Sequence, residues 1–169
     1  MNRRLMLGLG FVLSVVGISV AGADDKVFVN TRALSAVMAS RVAAATEQAC
    51  AKRGYQVAVA VTDRYGNLLA FLRNPLAGAH TITIAKYKAY TAATFQLATL
   101  GLDQRLGFLK GMPKLSLTGG GVPIRAAGFM YGAVGVSGAP REKQPGDVDD
   151  VCAREGIKAI QEDLDFSSQ

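Results

Sequence analysis

Between Thr31 and Arg53 the apolar residues Leu34, Val37, Met38, Val42, Ala45 and Ala49 recur at spacings of three and four, and Gly54 follows. That periodicity predicts an amphipathic helix with a glycine stop. At Gln56 the period changes to two: Val57, Val59 and Val61 alternate with Ala58, Ala60 and Thr62. Asp63-Arg64-Tyr65-Gly66-Asn67 then carries turn chemistry and leads into Leu68 to Arg73, so the two runs predict a β-hairpin. Its alanine face admits a closely packed helix, and its valine face fills a thicker core.

A loop through Asn74, Pro75 and Gly78 precedes a second predicted helix, about Thr81 to Leu97, with Ile84, Tyr87, Thr91 and Phe95 on one face. After a polar segment from Gly101 to Lys110 come Thr118-Gly119-Gly120-Gly121-Val122-Pro123-Ile124 and then Phe129 to Ser137, which has strand composition. These predict two or three further strands joined at Ala126 to Gly128. A last helix is expected from Val148 to Leu164, with Ala153, Ile157, Ile160 and Leu164 on one face. Asp147, Asp149 and Asp150 lie near its start, where carboxylates suit the helix dipole. The expected order is α-β-β-α-β-β-(β)-α, a single α/β domain with an antiparallel sheet covered by helices.

The first residues stand outside this pattern. Arg3 and Arg4 precede an apolar run from Leu5 to Val20, and Ala21-Gly22-Ala23 precedes Asp24 and Asp25. This is the layout of a signal peptide cut after Ala23, which leaves residues 24 to 169 as the mature domain, in the periplasm or secreted and with no membrane attachment. Export would place Cys50 and Cys152 where a disulfide can form, which is the favoured reading, the alternative being two separate buried thiols. Of 169 residues, 50% are hydrophobic and 19% charged, which excludes wholesale disorder. Cleavage takes two arginines from a formal net charge of +6. The remaining cations are scattered without interleaved aromatics, so nothing supports nucleic-acid binding. One His and two Cys exclude a Cys₂His₂ or Cys₄ zinc site.

His80 is the sole imidazole, at a loop-helix junction. It suits iron ligation or proton transfer, or it is an exposed residue with no ligand. The chain has no Cys-x-x-Cys-His, so any haem is bound non-covalently. Lys86 and Lys88 are two positions apart and cannot share a helix face. Lys86 is read as solvated and Lys88 as the candidate pocket cation, with the Thr91 hydroxyl facing roughly the same way; together they suit a carboxylate. Gly119 to Gly121 either present bare amides to an anion or form a tight entry turn. They lack the Lys-Ser/Thr sequel of a phosphate-binding loop.

Four blocks, taken in order, resemble a known family. Thr83-Ile84-Ala85-x-x-Lys88-Ala89-x-Thr91-Ala92, Gly120-Gly121-Val122-Pro123-Ile124, Gly132-Ala133-Val134-Gly135-Val136-Ser137-Gly138 and Asp149-x-x-Cys152-Ala153-x-x-Gly156 are similar to the GlcG/HbpS, or haem-degrading, family, which includes the PduO C-terminal domain. The resemblance implies a profilin-like three-layer sandwich, a five-stranded antiparallel sheet flanked by helices, and assembly into homo-oligomers. It also implies binding of haem b, with Lys88, Thr91, Gly120 and Gly121 carried over as pocket residues. His80 enters as iron ligand because it is the only imidazole. Where an acidic residue is common at the start of the second helix, this chain has Thr83. The expectation is an exported haem-binding protein in haem sensing, storage or degradation. The alternatives are an enzyme or binding protein for a small organic acid of the glycolate type, and a structural oligomeric subunit without a pocket. The sequence assigns no reaction.

Overall fold

The computed structural model describes residues 27–167, so the expected signal peptide lies outside the described residues. Residues 27–30 carry no regular element, and the compact unit runs over Thr31–Gln169. Its elements are α1 (Ala36–Ala51), β1 (Ala58–Asp63), β2 (Leu68–Arg73), α2 (His80–Phe95), α3 (Leu102–Leu106), a 3-10 turn (Gly107–Leu109), β3 (Gly121–Ala126), β4 (Phe129–Ser137), α4 (Asp147–Lys158) and α5 (Gln161–Ser167). The strands form one antiparallel sheet in the order β2-β1-β4-β3.

The alternation along β1 divides the molecule into layers. Val57, Val59 and Val61 join Val134, Val136 and Ile124 beneath α1 and α4, where Val42, Ala43, Val148, Ala153 and Ile157 complete the larger core. On the opposite face Ala58 and Ala60 meet Ala85 and Ala89 of α2. Ala92 and Ala93 continue that contact onto Met130 and Ala133. Small residues on both sides let α2 approach to backbone contact. A β-carbon at Gly135 would collide with the Ala85 carbonyl oxygen and the Ala89 amide nitrogen, and would lie 2.9 Å from Ala89 Cβ.

Local chemistry sets the boundaries. Ser35 caps α1 by accepting the Met38 amide at 3.2 Å, so the helix starts later than the periodicity suggests. In the β1-β2 turn, the Asp63 carboxylate accepts the backbone amides of Tyr65 and Asn67 at 2.8 and 2.9 Å and the Asn67 side-chain amide at 2.9 Å. Ala127 and Gly128, with φ of 45° and 78°, make the two-residue turn between β3 and β4. The single last helix expected from Val148 to Leu164 is two helices, α4 and α5, separated at Ala159 and Ile160.

The five-stranded sheet implied by the family resemblance is corrected to four strands among the described residues. The optional third strand expected between the glycine block and the last helix does not form, and the segment between α2 and β3 coils into α3 and the 3-10 turn. It is then tied to α2, where the Ser116 amide donates to Thr91 Oγ1 at 2.9 Å. Its polar backbone groups are thus satisfied without a ladder. Among the described residues no helix is long and apolar enough to cross a membrane.

Candidate functional site

Three of the expected pocket residues converge, and they do so in the interior. Lys88 Nζ donates to Asp149 Oδ2 at 2.7 Å, with each residue 3% exposed. The other carboxylate oxygen, Oδ1, accepts the Ala139 amide at 3.0 Å. Burial lifts the Asp149 carboxyl above its ordinary range, while the Lys88 charge and the Lys88 and Ala139 hydrogen bonds draw it back down. Gly120, at φ 110°, lies against this pair: a β-carbon there would stand 2.7 Å from Asp149 Cβ and 3.1 Å from Lys88 Nζ. Gly121 abuts the Lys88 carbonyl oxygen.

The glycine block is therefore a packing corner where α2, α4 and β3 meet. Two of its three amides are taken by protein acceptors. Gly119 donates to the Pro145 carbonyl at 3.0 Å, and Gly121 donates to Thr99 Oγ1 at 2.8 Å. Thr91 is equally committed: its hydroxyl donates to the Tyr87 carbonyl at 2.7 Å and accepts from Ser116. Within this chain Lys88, Thr91, Gly120 and Gly121 are sealed from solvent, and the carboxylate expected beside Lys88 is the protein's own Asp149.

His80 is separate from that corner. It is the first residue of α2, about two turns from Lys88, and it is exposed. Its ring folds back over Gly78, where a β-carbon would lie 2.6 Å from Cε1 and 2.8 Å from Nδ1. Among the described residues the imidazole has no hydrogen bond or ion pair. Leu76, 82% exposed, stands close by in sequence. With the alanines of α2 turned to the sheet, the helical period puts His80, Thr83, Tyr87 and Thr94 on the outer ridge, all exposed. No group of three or more His, Cys, Asp or Glu that could hold a metal ion gathers among the described residues.

Another recess opens beside the same helix. The β1-β2 turn and the loop before β3 enclose a cavity of about 260 Å³ lined by Thr62, Gly66, Asn67, Leu68, Lys86, Tyr87, Tyr90 and Lys114. Lys86 reaches it along Phe71, its Nζ 5.4 Å from the ring centroid. Sequence reasoning set Lys86 aside as a solvated charge and passed over Lys114, Tyr90 and Asp149. The signal for Asp149 was its place among Val148, Cys152 and Ala153, on a helix face that also enters the core.

On the far side of the sheet, Cys50 of α1 and Cys152 of α4 form a disulfide with Cα atoms 5.4 Å apart. A bidentate Arg53–Glu155 pair at 2.8 and 2.6 Å lies at the same end of these helices.

Comparisons with known proteins agree with this architecture. HbpS of Streptomyces reticuli, solved as a double mutant, is 35% identical with a TM-score of 0.72, covering 79% of this chain and 90% of that one. A crystal structure described as a PduOC:heme complex is 25% identical with a TM-score of 0.67, covering 76% of this chain and 95% of that one. Protein GlcG of Escherichia coli K12 is 37% identical over 109 residues, 62% of this chain and 81% of GlcG. The family model described as "Haem degrading protein HbpS-like" matches residues 34–158. With three quarters of its length matched from α1 to the end of α4, the chain belongs to the HbpS-like family.

Proposed function

We propose that this protein binds haem b non-covalently on the outer ridge of α2, with His80 as the ligand to iron. The observation that carries the reading is the state of that imidazole: the sole histidine of the chain stands exposed at the start of a helix, without a partner among the described residues. A porphyrin brings four nitrogen donors of its own, so one protein imidazole suffices and the lack of a ligand cluster is no obstacle. Exposed Leu76 and Tyr87 give the macrocycle apolar surface on either side. Bound haem would supply iron redox chemistry. The chain's part would be to hold the iron through the His80 imidazole.

Membership of an HbpS-like haem-degrading family and likeness to a haem complex support a haem-related role. Sensing, storage and degradation all remain within that reading. Export to the periplasm or the extracellular space is part of the proposal and draws support from the Cys50–Cys152 disulfide, a bond that persists in oxidising compartments. Homo-oligomerisation is proposed as well.

Titrating hemin into the mature chain tests the reading. A saturating Soret shift is expected, lost or displaced in His80→Ala while the melting temperature is unchanged. Equal hemin spectra for the two proteins would overturn His80 as the ligand.

A further inference from the structure

The cavity between the β1-β2 turn and α2 has the makings of a second binding site, which has only Tyr87 in common with the haem reading. It is walled by the rings of Tyr87 and Tyr90 and carries two cations, Lys86 and Lys114. No carboxylate lines it. The nearest acid in sequence, Asp63, is occupied by the two backbone amides and the side-chain amide of its own turn. Neither lysine has an ion pair or hydrogen bond among the described residues, and neither phenol hydroxyl has a partner there. At the floor is Thr62, 2% exposed, whose hydroxyl has only a 3.5 Å contact with the Ala133 carbonyl, at the outer limit of a hydrogen bond.

The backbone also bends to build this recess. Lys114 holds a left-handed conformation, φ 65°, which a lysine adopts at a cost and which commonly marks a functional constraint. Gly66, at φ 87°, lets the turn settle on Tyr90, since a β-carbon there would lie 2.6 Å from the Tyr90 ring. Two unpaired ammonium groups over aromatic and aliphatic walls select an anion with an apolar body. At about 260 Å³ the recess falls below the usual range for drug-sized ligands and suits an acid of a few carbons.

We propose that this cavity binds a small organic carboxylate, its anionic end held by Lys86 and Lys114 and its body between Tyr87, Tyr90 and Leu68. The proposal stands independently of haem binding at His80.

Calorimetric titration of the mature chain with glycolate, succinate, benzoate and inorganic phosphate tests it. At least one carboxylate should bind saturably, and binding should weaken tenfold or more in Lys86→Ala and in Lys114→Gly. Lys114→Gly relieves the left-handed backbone, so its apo form should melt no lower than the wild type; a merely structural lysine would not separate stability from binding. Absence of saturation by every carboxylate up to roughly 10 mM, or equal affinity in the variants, would overturn the site. So would phosphate binding more tightly than any carboxylate. A haem propionate offers the same chemistry as a free acid, and hemin titration of Lys114→Gly separates the two. Retained hemin binding with lost acid binding supports a separate acid site. Joint loss assigns the lysine to the porphyrin edge and overturns it.

Discussion

Lys88 and Asp149, 61 residues apart in the chain, form a 2.7 Å ion pair with each side chain only 4% exposed. The pair ties α2 to α4 past the end of the sheet, with Gly120 leaving just enough room for both groups. Removing one partner abandons a charge in the interior, whereas replacing both by apolar groups of similar volume does not. Lys88→Met should therefore destabilise by about 3–5 kcal/mol, and Lys88→Met with Asp149→Leu by much less. Urea unfolding of the two variants checks this, and similar losses in both would assign the cost to packing instead of charge.

The approach of α2 to the sheet sets a second expectation. Gly135→Ala drives a methyl group into the Ala85 carbonyl oxygen and the Ala89 amide nitrogen, backbone atoms that cannot rotate away. Overpacking of this kind costs about 1–3 kcal/mol, and a backbone obstacle puts it at the upper end. Gly101→Ala, where a β-carbon meets nothing within 4 Å, carries only the penalty of its φ of 74°. Thermal melts of the two variants should rank accordingly.

The disulfide closes a loop spanning 102 residues. In the chain-entropy account a loop of that length contributes roughly 4–5 kcal/mol by restricting the unfolded chain. The Cys50→Ala, Cys152→Ala variant should lose stability of that order, and a reductant should lower the wild-type melting temperature towards the variant's without affecting the variant.

Asp147 gives a pH signature. Its carboxylate accepts four backbone amides, from Lys143 and Glu142 first and then Gln144 and Val148, and these hold its pKa down at about 2, against an ordinary 3.8. A carboxyl with a depressed folded-state pKa stabilises above its unfolded value, and the contribution disappears as the pH falls through the folded value. Asp147→Asn should accordingly melt below the wild type at neutral pH. The gap should narrow below pH 3.8 and close near about 2; a gap constant over that window would show that ionisation is not its source.

Local patterns made the layering legible in advance. The valine and alanine alternation of β1 announced which face takes the thick core and which takes α2, and the turn at Ala126 to Gly128 was readable from its glycine. The break at Ala159 and Ile160 was not, because apolar residues continue at helical spacing from Ile157 through Ile160 to Leu164. A third strand after the glycine block was left open by the residue pattern and made definite by the family resemblance, and only two strands form there. For the site, type was legible but direction was not. Lys88 was read as inward-facing, while His80 was left open between an iron ligand and an exposed residue, and the acid that meets Lys88 lies on another helix. Asp149 had a sufficient local explanation at a helix start, which masked its spacing of four from Ala153 on the core face. Lys114 gave no sign at all, since its left-handed backbone has no glycine or asparagine to mark it.

Because the middle of α2 rests on alanines and on the bare backbone at Gly135, with longer side chains only at Phe71 and Met130, there is little beneath it to deform. Tilting or sliding the helix would press main chain against main chain, so the groups carried along its crest, from His80 to Thr94, keep fixed mutual spacing like marks on a ruler. Whatever docks there must conform to the protein, and any response to docking has to emerge at the helix ends, in the loop before His80 and the segment after Phe95.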